Sequence, residues 1–155
     1  VTKGKFEDLD IREVVKKVHD ADIEIIANYL FGLTGDTFET MQKTLDLSLE
    51  LNTIAWNAYA VMALPGSALY KKAVEKGLKM PDDYAGYSFH SYNTQPLPTD
   101  EVSAAEILKF RDAAFSEYHT YKPFLEKIRN KYGALAVNNI EDMTKIKLKR
   151  KICGD

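Results

Sequence analysis

The sequence predicts an α/β domain in which about two parallel strands are covered by helices and followed by a helical extension. Three observations carry this expectation. Over residues 11–77 helical periodicity alternates with two short, largely apolar runs; each run ends in a glycine-containing turn that leads into a capped helix; and beyond Asp100 only helical periodicity remains. The resulting division is 1–77 for the β/α units, 78–102 for a long structured loop and 103–155 for the helical extension.

Asp10-Ile-Arg-Glu13 has the form of a capping box, in which Asp10 accepts from early amides and Glu13 reaches back to the cap. Ile11, Val14, Val15, Val18 and Ala21 then recur at helical spacing, which predicts a helix over 11–20. Ile23 to Leu33 is rich in β-branched and aromatic residues and suits a buried parallel strand. Gly32-Leu-Thr-Gly-Asp-Thr37 ends it, and Asp36 with Glu39 forms a second capping box for a helix over about 37–50. A second strand is predicted over Ile54 to Ala63. Leu64-Pro-Gly-Ser67 turns the chain, Ser67 caps a helix over 68–76, and Gly77 stops it. Leu78 to Asp100 carries three prolines and no sustained periodicity, the mark of a long loop with a functional or mobile character. Ser103-Ala-Ala-Glu106 opens a helix to about Tyr118, Pro123 suits the first turn of another that ends at Gly133, and Ala134 to Ile152 reads as a last helix.

Composition sets bounds on function. The 155 residues are 45% hydrophobic and carry a formal net charge of −2, enough for one domain with a real core and no global attraction for nucleic acid or anionic membrane. No apolar run is long enough to span a bilayer and no signal peptide is recognisable, so a soluble, cytoplasmic protein is the expectation. A closed eight-stranded β/α barrel takes about 250 residues, more than this chain holds. The lone Cys153 excludes an internal disulfide, a four-cysteine zinc site and a self-contained iron–sulfur cluster. The chain opens on Val1 rather than methionine, which suggests a piece of a longer protein.

Alternation along the strands sorts polar groups onto one face. In the first strand Ile23, Ile25, Ala27, Tyr29, Phe31 and Leu33 are predicted to pack on helices, leaving Asn28, Leu30 and Gly32 on the other side. In the second, Trp56, Ala58, Ala60 and Met62 go to the helices and Asn57 and Tyr59 share the face of Asn28. These polar groups either satisfy one another in a core or wall a pocket near the C-terminal strand ends, where β/α folds place ligands.

Asn28-Tyr-Leu-Phe-Gly-Leu-Thr-Gly-Asp-Thr37 resembles the strand-to-helix segment of radical S-adenosylmethionine enzymes, with Thr34 in place of the usual proline and Asp36 for the glutamate. Met62-Ala-Leu-Pro-Gly-Ser67 resembles their next strand end. Tyr87-Ser-Phe-His-Ser-Tyr92, Pro96-Leu-Pro-Thr99, Phe110-Arg-Asp-Ala-Ala-Phe115 and Leu148 to Asp155 are similar to the downstream region of a subgroup that often carries an upstream cobalamin-binding domain, and Val1-Thr-Lys-Gly4 to the loop entering the helix before the fifth strand. The resemblance implies the C-terminal portion of a partial (β/α)6 TIM-like barrel, this chain holding about the last two units. It also implies that a C-x3-C-x2-C motif elsewhere in the longer protein holds a [4Fe–4S] cluster. That cluster reductively cleaves S-adenosylmethionine to a 5′-deoxyadenosyl radical, or takes part in cobalamin-dependent transfer. Cys153 cannot replace that motif, so the fragment itself is expected to be inactive, to contribute no catalytic residue and no metal ligand, and to bind no cofactor alone. By the same resemblance Asn28, Leu30, Gly32, Met62 and Ala63 are cofactor-binding candidates, and Asn57, Tyr59, His90 and Tyr92 are candidates for the substrate pocket. The partners implied are the missing N-terminal part and a small-molecule substrate, with self-association of the fragment through exposed strand edges.

Other readings remain open at this level. The Gly32–Thr37 turn could hold a phosphate on its amides, making the chain a stand-alone nucleotide- or phosphate-binding module, or the C-terminal helices could dock a partner. His19 and His119 are expected to be solvated near helix ends, and the basic run Lys145, Lys147, Lys149, Arg150 and Lys151 to form a solvated helix face.

Overall fold

The computed structural model describes residues 8–155, and the Val1–Gly4 segment of the resemblance lies outside them. The described residues form a helix-rich α/β fold of α1 (Ile11–Asp20), β1 (Ile26–Phe31), α2 (Phe38–Leu51), β2 (Ala55–Ala60), α3 (Ala68–Glu75), α4 (Ala104–Thr120), α5 (Lys122–Tyr132) and α6 (Ala134–Lys145). β1 and β2 pair in parallel, with Asn28 opposite Asn57 and Leu30 opposite Tyr59.

The caps explain most boundaries. Asp10 accepts from the Arg12 amide at α1, Ser67 from Tyr70 at α3, and Ser103 and Glu106 exchange both bonds of a capping box at α4. At α2 the expected Asp36–Glu39 box is displaced by one residue. Thr37 caps the helix in reciprocal bonds with Thr40, while Glu39 pairs with Lys43. Two capping residues stand side by side, and the helix takes the second because Asp36 is committed to the preceding turn. Pro123 sits in the first turn of α5 and Gly133, at φ +82°, ends it.

The core lies on one side of the sheet. Phe31, Trp56, Ala58 and Ala60 meet Met41 and Leu45 of α2 and Ile107, Leu108, Ala114 and Tyr118 of α4, and α5 and α6 add Phe124, Ile128 and Val137 behind them. Full burial of each large apolar side chain contributes about 1.5–3 kcal/mol. A smaller cluster of Ala63, Ala73 and Leu97 fastens α3 and the long loop to the end of β2. That loop contains one 3-10 turn at Tyr84–Tyr87 and is tied in by the Gln95 amide to Gly86, Leu97 to Val61 and Thr99 to Val102.

The structure also departs from the sequence pattern at His119, at the end of α6 and at Arg150. His119 is buried among Trp56, Phe115, Tyr118 and Phe124, where burial lowers its pKa. α6 ends at Lys145 instead of continuing to Ile152, and residues 146–150 run extended before a short turn at Lys151–Cys153. Arg150, placed by sequence on a solvated helix face, is only 2% exposed. Among the described residues no helix is long and apolar enough to cross a membrane.

Tyr118 makes the core sensitive to alkali. Its hydroxyl donates to the Thr53 carbonyl at 2.7 Å, and burial pushes its pKa up to about 12. The unfolded chain therefore releases this proton first, near pH 10, so Tyr118 adds to stability below that pH and the contribution is lost as pH rises through the folded value. We expect the stability difference between wild type and Tyr118→Phe in urea titrations to shrink by about 2 kcal/mol between about pH 9 and pH 12.

Candidate functional site

Parallel strands are ordinarily covered on both faces. This pair is covered on one. Tyr29 and Phe31 of β1 and Trp56, Ala58 and Ala60 of β2 meet the core as their alternation predicts, but Ile23 and Leu33, expected on the same side, lie beyond the ends of β1 and are 58% and 37% exposed; on the opposite face Ile26, Leu30 and Tyr59 are 63%, 47% and 42% exposed. Across the middle of that face the Asn57 amide donates to Asn28 Oδ1 at 3.2 Å. The partial internal satisfaction leaves the Asn28 amide hydrogens and Asn57 Oδ1 available to a ligand.

The two outer edges differ. Val61 donates its amide to the Phe31 carbonyl, so the peptide groups of Phe31 and Tyr29 turn toward β2, and those of Ile26, Asn28 and Leu30 turn outward. None of those three outward residues has a backbone partner among the described residues. On the far side of β2, by contrast, the Ala58 carbonyl accepts from Arg111 Nε at 2.8 Å. Burial lowers the Arg111 pKa, and the guanidinium lies over the Phe89 ring at 4.1 Å and beside Asp112 at 3.0 Å. Neither the cap nor its role was visible in sequence, although Arg111 and Asp112 belong to the quoted Phe110–Phe115 segment.

The turn after β1 is an internal clamp. Asp36 accepts from the Gly32 amide at 3.0 Å and the Leu33 amide at 2.9 Å through one oxygen, and from the Thr40 hydroxyl at 2.9 Å through the other. The amides a phosphate would need in the nucleotide-binding reading are thus already given to a carboxylate. Gly32, at φ +81°, is buried against Ile107.

The predicted site residues therefore divide. Asn28, Leu30, Asn57 and Tyr59 come together on the open face. Gly32 lies behind it, at the clamp. Ala63 is buried in the small cluster with Leu97, and Met62 beside it is half-buried. Phe89 packs edge-on against Tyr59 at 5.7 Å, and His90, its neighbour, lines a separate cavity behind α4. Tyr92 donates to the Asp155 carbonyl and so holds the C-terminus. Among the described residues no three His, Cys, Asp or Glu side chains converge as a metal site. Cys153 is partly buried against the Ala105 carbonyl, and burial raises its pKa.

No protein-family model, curated protein or solved structure matches the chain.

Proposed function

We propose that the chain forms the last two β/α units and the helical extension of a radical S-adenosylmethionine type of (β/α)6 barrel, its open sheet face serving as part of the cofactor and substrate wall. The observation that carries this reading is the asymmetry of the sheet: an outer edge at Ile26, Asn28 and Leu30 with no backbone partner among the described residues, an opposite edge capped by Arg111, and a largely exposed face between them. Two strands at the end of a longer parallel sheet need this arrangement, since a further strand must join on one side only. In this reading Leu30 offers an apolar surface to the adenine, the Asn28–Asn57 pair supplies hydrogen bonds beside it, and Tyr59 borders the substrate space.

The donor set fits an adenosyl group, which is flat, largely apolar on its faces and polar at its edges. It does not supply a cluster: one cysteine, engaged with Ala105, leaves the iron ligands to another part of the protein. When bound there, the cluster would supply the electron for cofactor cleavage. What this chain does is bind, orient and wall off.

The test is made on the longer protein. A C-x3-C-x2-C motif upstream, and release of 5′-deoxyadenosine after anaerobic reconstitution and reduction, are the expected results. Asn57→Ala should then raise the KM for S-adenosylmethionine roughly five- to tenfold with the cluster spectrum unchanged. An initiator methionine directly before Val1, or a reduced protein that leaves the cofactor intact, overturns the reading.

A further inference from the structure

The side of α4 turned away from the sheet borders a cavity that the barrel reading leaves unused. Ile107, Ala114 and Tyr118 enter the core, and a rotation of about 100° per residue puts Lys109, Asp112, Ala113 and Ser116 on the opposite side of the helix. Facing them is the chain that leaves α6 and runs extended to Arg150. The space between is about 600 Å³, within the range of about 300–1,000 Å³ typical of small-molecule sites.

Its walls are mostly apolar, formed by Ala113, Phe115, Met143, Ile146, Leu148 and Cys153. Ile146 at 72% and Met143 at 39% are exposed toward solvent or the cavity rather than committed to the core. Its charges do not cancel. Asp112 is held by Arg150 and Arg111, and the Asp155 carboxylate accepts from the Arg150 amide at 2.8 Å. Both lining carboxylates are thereby engaged. Lys147 and Lys109 make no ion pair within 4 Å among the described residues, although Lys109 lies close enough to Glu106 to help hold its pKa down, and Arg111 Nη2 makes no hydrogen bond among them. An apolar hollow with surplus positive charge at its rim selects for a ligand with an apolar body and one negative end.

We infer that this cavity binds a small amphipathic carboxylate, its apolar body between α4 and residues 143–148 and its head group held by Lys109 and Lys147. A neutral body would fill the hollow but leave the lysines unmatched, and a small inorganic anion would match the lysines but leave the apolar walls wet. The head group gains ordinary surface ion pairs, so its contribution is modest and screened by salt. The site lies on the side of α4 away from the core, and Arg111 and Phe89 stand between it and Tyr59 of the open sheet face.

Cys153 lines the cavity and is the chain's one thiol, so the protein carries its own reporter. The full chain is treated with the neutral reagent 4,4′-dithiodipyridine, alone and with decanoate below its micelle concentration, with decanol, or with acetate. Decanoate should slow modification of Cys153 about fivefold or more, decanol much less, and acetate not at all. Because Lys109 acts on the thiol directly, each variant is compared with itself with and without ligand. Lys109→Gln/Lys147→Gln should raise the decanoate concentration needed for half-protection roughly five- to tenfold, since each exposed pair is worth up to about fivefold and usually less. Chemical shifts of the Ala113 and Leu148 amides should follow the same titration. Absence of decanoate protection, equal protection by decanol, or an unchanged midpoint in the double variant overturns the inference. Binding of an acidic helical peptide without decanoate binding would overturn it in favour of a protein partner.

Discussion

Arg150→Ala should destabilise the protein by about 3 kcal/mol and lower Tm by about 6–12 °C. The side chain gives Asp112 a two-pronged ion pair, Nε to Oδ2 at 3.0 Å and Nη2 to Oδ1 at 3.2 Å, and its Nη1 donates to the Phe89 carbonyl at 2.7 Å and the Ser91 carbonyl at 3.3 Å. Removing it strips the Phe89 carbonyl of its donor and leaves Asp112 with Arg111 alone and the Ser91 carbonyl with the Thr94 amide, which costs more than the pair itself contributes. Asp112 is 29% exposed at its side chain, so water recovers part of the loss and the lower end of the usual range for broken buried pairs applies. Arg150→Lys should recover about half the deficit, because an ammonium restores charge but not the fork. The change also has a local signature. Lys151 donates its amide to the Tyr92 carbonyl, and Tyr92 in turn holds Asp155, so the tail and the 88–92 segment are latched through Arg150. Hydrogen exchange at Lys151 and Cys153 should accelerate well beyond that of α5. A variant that loses stability while those amides stay protected would show that the latch is not where the energy lies.

The same residue marks the limit of what the chain's pattern reveals. Strand faces were legible because a period of two survives in Tyr29, Phe31, Trp56, Ala58 and Ala60, and helix starts because Ser67 and Ser103 have the right neighbours. Lys145-Ile-Lys-Leu-Lys-Arg-Lys151 also alternates, which is an extended-chain signal, but its excess of lysine invites a solvated-helix reading. What places Arg150 inside is Asp112, thirty-eight residues away, and the Phe89 carbonyl, sixty-one away. His119 is similar: its helical position puts it near Phe115, but Trp56 arrives from another element and completes the burial. Of the candidate site, alternation put Asn28, Asn57 and Tyr59 on one face, but that Asn28 stands opposite Asn57 is set by the strand register, which the pattern does not contain. The direction of His90 was not legible either, because a loop without periodicity gives no rule for which of two adjacent aromatic rings, Phe89 or His90, turns toward the sheet.

Gly32→Ala should cost about 3 kcal/mol, and Gly35→Ala in the same turn about 1 kcal/mol. Both glycines have positive φ, +81° and +89°, so both substitutions carry the backbone penalty of a left-handed residue. Gly35 has nothing within 4 Å of an added methyl group and isolates that penalty. At Gly32 the methyl would fall 2.9 Å from both Cδ1 and Cγ2 of Ile107. Cδ1 could swing away, but Cγ2 is fixed to Cβ and moves only with χ1, which is stiff for a β-branched residue in a helix. Ile107 is wholly buried and α4 itself is pinned to β2 by Arg111, so the helix cannot retreat without breaking the cap on Ala58. A double-mutant cycle separates these causes in urea titrations. Ile107→Ala alone should cost about 3 kcal/mol for the cavity it leaves, and adding Gly32→Ala to it should cost only the backbone term of about 1 kcal/mol, since the new methyl now enters empty space. Full additivity of the two substitutions would mean that the close approach of α4 to this turn does not limit the glycine. Sub-additivity of about 2 kcal/mol would tie the position of α4 to the strand end that carries Leu30 and the Asp36 clamp, so that packing behind the sheet sets the geometry of the face in front of it.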